Sequence, residues 1–72
     1  MAGIKHAIVE GQIYRKTGRG GGAWQVVAVK IDALGAQHAR MISMSEPGTY
    51  RTVAIAVLHD ARNFQRVEAA AR

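Results

Sequence analysis

The chain contains no cysteine, which excludes a disulfide framework, a thiolate nucleophile and Cys-ligated zinc. Aromatic side chains are scarce: one Trp, two Tyr and one Phe in 72 residues, so a stacking surface has few members to draw on. Hydrophobic runs are short. Val26-Val27-Ala28-Val29 is cut off by Lys30, far below the roughly 20 apolar residues of a membrane-spanning helix. The opening residues Met1-Ala2-Gly3-Ile4-Lys5-His6 lack the apolar stretch of a secretory signal. The expectation is a cytoplasmic protein off any membrane. Acidic residues are few as well: five Asp and Glu stand against ten Lys and Arg, for a net charge of +5.

What is present fits one small domain. A chain of this length hides only about 60% of the surface it exposes when extended. Thirteen alanines swell the hydrophobic fraction of 49%, so the core is thin and self-association is expected to help it. Seven of the ten cationic residues are Arg, whose planar guanidinium suits bidentate phosphate contact. The charge balance favours nucleic acid, DNA or RNA, as a partner, although charge also serves solubility alone.

The pattern along the chain is short strands broken by turn chemistry. Residues 1–10 read as a lead-in or an extra strand, with residues 4–9 apolar around Lys5 and His6. Gln12-Ile13-Tyr14-Arg15 alternates weakly, and Thr17-Gly18-Arg19-Gly20-Gly21-Gly22 is a loop. Residues 23–31 form the clearest strand, β-branched and aromatic, with Trp24, Val26 and Ala28 on one face and Val27, Val29 and Ile31 on the other. After a turn at residues 32–36, Ala39, Met41 and Ser43 alternate against Arg40, Ile42 and Met44. Ser45-Glu46-Pro47-Gly48 predicts a type II turn. A strand over residues 49–57 is expected next, then a 3₁₀ turn at residues 58–61, a last strand over residues 64–67 and a tail at residues 68–72. A helix across residues 52–67 is the alternative, disfavoured by the alternation of Val53, Ile55 and Val57.

Five short strands, a long glycine loop after the first and a helical turn before the last describe an all-β small barrel over residues 11–67, since closure removes exposed sheet edges. Gly11-Gln12-Ile13-Tyr14-Arg15, residues 23–29, residues 52–60 and Phe64-Gln65-Arg66-Val67 resemble the SH3-like small-barrel superfamily. Residues 15–25 and 47–58 also resemble the plasmid-encoded, trimethoprim-insensitive dihydrofolate reductases, SH3-like barrels that work as homotetramers around a central pore. In that family a Gln-Ile-Tyr triplet follows the Pro-Gly turn and binds folate and the nicotinamide cofactor. Here Tyr50-Arg51-Thr52-Val53 follows the turn and Gln12-Ile13-Tyr14 lies on another strand. The resemblance therefore implies fold and oligomers, without the catalytic triplet and without a cofactor.

Candidate sites follow from charge and aromatics. The basic glycine loop sets Arg15, Lys16 and Arg19 beside backbone N–H groups, a donor set for phosphate oxygens. It is no Walker loop, because no Gly-Lys-Ser/Thr step follows. Arg40 and Arg51 flank the Pro-Gly turn, and with Arg62 and Arg66 they suggest a shared basic face that Glu46, Asp60 and Glu68 are able to neutralise. The nucleic-acid-binding set is Lys16, Arg19, Arg40, Arg51 and Arg66. Tyr14, Trp24 and Tyr50 form a possible aromatic rim. His6, His38 and His59 show no metal-ligand spacing. A His59-Asp60 dyad with Ser43 or Ser45 is disfavoured, since adjacent side chains diverge. The expectation is a non-catalytic, basic binding module. The alternatives are a homo-oligomeric interaction protein burying Val27, Val29 and methionines between subunits, and a small-molecule or reductase-like site at an oligomer axis.

Overall fold

The computed structural model describes residues 7–18 and 20–67. Five strands, β1 (Ile13–Lys16), β2 (Ala23–Ile31), β3 (Gln37–Ser43), β4 (Tyr50–Ala54) and β5 (Phe64–Val67), form one antiparallel sheet in the order β4-β3-β2-β1-β5. A short helix, α1 (Ile55–His59), joins β4 to β5. The sheet curls into a half-barrel, an architecture consistent with the small SH3-like all-β fold.

Its interior is apolar and small. Tyr14, Val26, Ala39, Met41, Leu58 and Phe64 are buried with Ile8, and Trp24, Val29, Val53, Ile55 and Val57 pack against them. Strand alternation explains the choice: Ala39, Met41 and Ser43 sit two apart on β3 and all face inward. The phenol of Tyr14 reaches this interior with its hydroxyl satisfied, donating to Gln12 Oε1 at 3.0 Å. Burial pushes that phenol above its ordinary pKa of 10.0, and the nearby charge of Arg66 pulls it partly back.

Two connections follow their turn residues. In Glu46-Pro47-Gly48-Thr49 the Thr49 N–H donates to Glu46 O at 3.0 Å, and Gly48 carries the positive φ of 96° that a type II turn requires. In the β2–β3 loop, Asp32 Oδ1 accepts from the N–H groups of Leu34 and Ala36, fixing the reversal with a side chain.

Two expectations are corrected. The strand expected over residues 49–57 stops at Ala54, and Ile55 and Val57 belong to α1. Ala54 pairs with His38, and β3 begins only one residue earlier, at Gln37. A longer β4 runs out of backbone partners, whereas a helical turn satisfies its own N–H and C=O groups and drives Leu58 into the core. The helical segment thus begins at Ile55, ahead of the turn expected at residues 58–61. The second correction concerns β2. The register slips between Val26 and Ala28, and this bulge leaves Val27 exposed while turning Val29 inward, opposite buried Ala39. Val29 and Met41 therefore serve the chain's own core rather than an outer apolar face. Residues 7–9, the described start of the stretch read as a lead-in or an extra strand, carry no strand. The expected tail at residues 68–72 and the start of the lead-in lie outside the described residues.

Candidate functional site

The outer face of β2, β3 and β4 gathers cations around an exposed ring. Pairing places Lys30 beside His38, Arg40 beside Thr52, and Ile42 beside Tyr50, so these side chains leave the same face of the sheet. The Arg40 guanidinium lies 4.4 Å from the centroid of the Tyr50 ring, in cation–π range. Tyr50 is 49% exposed, a large value for a phenol on a sheet. Lys30, His38, Arg40, Tyr50, Arg51 and Thr52 line a cleft of about 280 Å³, none of them acidic. Asp32 approaches His38 Nδ1 with one carboxylate oxygen at 3.8 Å, while its other oxygen is held by the loop.

A second cleft, of about 310 Å³, opens at the end of the half-barrel between the glycine loop and the Pro-Gly turn. Lys16 enters from β1, its ammonium 5.7 Å from the Phe64 ring centroid, and Arg51 from β4, its guanidinium 5.6 Å from the Trp24 centroid. Ser43, Ser45, Glu46 and the backbone of residues 20–22 complete the walls. The hydroxyls of Ser43 and Ser45 are 3.3 Å apart, and Ser43 Oγ accepts the Glu46 N–H at 3.1 Å. The base of the loop is pinned: Lys16 N–H donates to Gly22 O, Thr17 N–H to Asn63 O, and the Thr17 hydroxyl to Arg62 O.

The structure does not assemble the sequence-predicted residues into one face. Arg40 pairs with Thr52 and Arg51 with Met41, so the two arginines leave opposite faces of the sheet and stack on different rings. Arg66 is paired with Tyr14 and lines a third cleft with Glu10, Gln12 and Val67. Arg62 is occupied by Asp60, its Nη2 2.9 Å from Oδ2 and its Nε 3.1 Å from Oδ1, which raises its pKa further. Arg19 lies outside the described residues. The aromatic rim does not form either, because Tyr14 is sealed in the core and Trp24 and Tyr50 lie on opposite faces. What sequence reasoning missed is Lys30, His38 and Thr52. The signal available was spacing: His38 and Arg40, like Tyr50 and Thr52, are two apart and share a face.

His59 lines a cleft with Ile8, Val29 and Ile55, whereas Ser43 and Ser45 line the loop-end cleft, so the structure places the two serines and His59 in different clefts. Among the described residues no group of three His, Asp or Glu is placed to hold a metal ion, and no helix is long and apolar enough to cross a membrane. In the Gln12-Ile13-Tyr14 triplet, burial withholds Tyr14 from any ligand. Compared with known proteins, the chain matches no family model, no curated protein and no solved structure.

Proposed function

We propose that the protein binds nucleic acid through the outer face of β2–β4, with Lys30 and Arg40 meeting phosphates and Tyr50 offering a stacking surface. The observation that carries this reading is the stacked pair of Arg40 and Tyr50 at 4.4 Å on an exposed face without acidic lining residues. A guanidinium laid on a ring is held in place while its in-plane N–H groups remain free to meet phosphate oxygens, which lowers the ordering cost of binding. Contacts of this kind position a backbone and carry little sequence information.

Fluorescence anisotropy with labelled oligonucleotide at low salt tests it. Binding is expected to weaken steeply as salt rises, because counterion release drives association. Tyr50→Ala is expected to cost about 1–3 kcal/mol of affinity, and Arg40→Ala to reduce the log–log salt slope by about one contact. Arg62→Ala serves as the control, since Asp60 already holds that guanidinium. Absence of binding at low salt, or equal losses from Arg40→Ala and Arg62→Ala, overturns the reading.

A second reading, self-association, rests on the β2–β3 hairpin, where Leu34 is 95% and Ile31 64% exposed. Apolar side chains so exposed at one hairpin tip favour a partner surface. Light scattering at tens of micromolar is expected to show a dimer or larger, and Leu34→Ser to return it toward monomer. A wild-type monomer at that concentration removes this reading.

A further inference from the structure

The two clefts share a residue. Arg51, on the edge strand β4, lines both the outer cleft and the loop-end cleft. Resting on the outer-face reading above, we infer that the nucleic acid taken is a single strand, which turns over the β4 edge and seats one backbone phosphate in the loop-end cleft between Lys16 and Arg51.

Four features of that cleft suit a phosphodiester. Lys16 and Arg51 each lie over an aromatic ring, so their long stems are packed before a ligand arrives and less rotamer freedom is lost on binding. The facing wall is Gly20-Gly21-Gly22, which lets a ligand approach backbone without meeting side chains. Ser45, paired with Ser43 at 3.3 Å, adds a hydroxyl donor beside the cations. Trp24, partly buried beneath Arg51, forms an apolar floor that lowers the local dielectric and strengthens the charge contacts.

The path decides between single strand and duplex. The clefts open on opposite faces of one strand-edge in a molecule only 28–32 Å across. A duplex has a persistence length of about 150 base pairs and stays on one side of such a body, whereas a single strand follows the turn. Glu46 is the opposing feature. It lines the loop-end cleft, and its negative charge opposes a phosphate there, which restrains affinity and provides a test.

The experiment compares anisotropy titrations of a labelled oligothymidylate of about 12 nucleotides, within the usual single-strand site range, with its duplex on oligoadenylate. The single strand is expected to bind at least about tenfold tighter. Lys16→Ala is expected to weaken the single strand and lower its salt slope by about 0.7, one phosphate contact, and to leave the duplex unchanged. Glu46→Gln is expected to tighten the single strand about two- to fivefold, the range of an exposed charge pair. That gain is not produced by a damaged fold. If both variants match wild type while Arg40→Ala still weakens binding, the phosphate seat is overturned and the outer face stands. If duplex and single strand bind equally, the single-strand assignment is overturned. Loss of the Arg40→Ala effect instead removes the outer-face reading itself.

Discussion

Met41→Ala is expected to lower the unfolding free energy by about 2–5 kcal/mol, the range for truncating a buried Leu, Ile or Met. Met41 is fully buried and paired between Val26 on β2 and Arg51 on β4, at the centre of a core with few other large members. Stability of about 0.05–0.15 kcal/mol per residue leaves a 72-residue chain little reserve, so the variant sits near its folding limit. Urea denaturation reads the effect as a lower midpoint at an unchanged slope. The comparison is Met44→Ala, whose side chain is exposed beyond the end of β3 and whose change is expected within about 0.5 kcal/mol. Equal losses at the two positions would sink the inward register of β3. A midpoint for Met41→Ala that recovers with protein concentration would instead move this methionine to an interface between subunits.

The strand pattern was legible because it depends on local chemistry. Pro47 and Gly48 fix the β3–β4 reversal, Asp32 fixes the β2–β3 reversal, and β-branched residues fill β2. The end of β4 was not legible, because it is set by where another strand begins. Nothing in Val53-Ala54-Ile55-Ala56-Val57 says that β3 offers no backbone beyond Gln37, and a non-local limit of that kind overrides a local alternation. The bulge at Val27 has the same character. Val26-Val27-Ala28-Val29 reads equally well on either face until pairing with β3 is known.

The site was less legible than the fold because faces are decided by parity. Arg40 and Arg51 flank the turn on neighbouring strands, but the observed register joins Ile42 to Tyr50, Arg40 to Thr52 and Met41 to Arg51. A slip of one residue exchanges the faces of a strand, and one residue separates the paired arginines that were expected from the opposed arginines that are found. Once the register is known, Arg40 gathers Lys30, His38 and Tyr50 on the outside, while Arg51 reaches over Trp24 toward Lys16. Arg51 at the sheet edge then joins the two groups, a role that no sequence spacing announces.

The glycine loop combines this fold and this chemistry, and Gly21 is where a substitution separates them. A Cβ added there would collide with the carbonyl oxygen of Lys16, and also crowd Gly18 O. The obstacle is backbone, held by Lys16 N–H to Gly22 O at 2.8 Å, by Thr17 N–H to Asn63 O at 2.9 Å and by pairing of Lys16 with Phe64. No side chain swings aside to relieve it. Gly21→Ala is therefore expected to cost about 1–3 kcal/mol, the scale of overpacking in a fixed site, which in a domain of this size lowers Tm by roughly 4–8 °C per kcal/mol. Gly22→Ala is the matched control, with open space around its Cβ position and no positive φ; reduced freedom of its unfolded chain is expected to leave it neutral or stabilised by up to about 1 kcal/mol. Thermal unfolding of the two variants should differ by several degrees, with Gly21→Ala the lower. Because the loop that shifts carries one wall of the loop-end cleft, Gly21→Ala should also weaken oligothymidylate binding in the way Lys16→Ala does, and spare contacts at Arg40. Matching Tm values for the two alanine variants would show that Lys16 and Gly21 do not approach each other in solution, and the wall of the cleft would have to be redrawn.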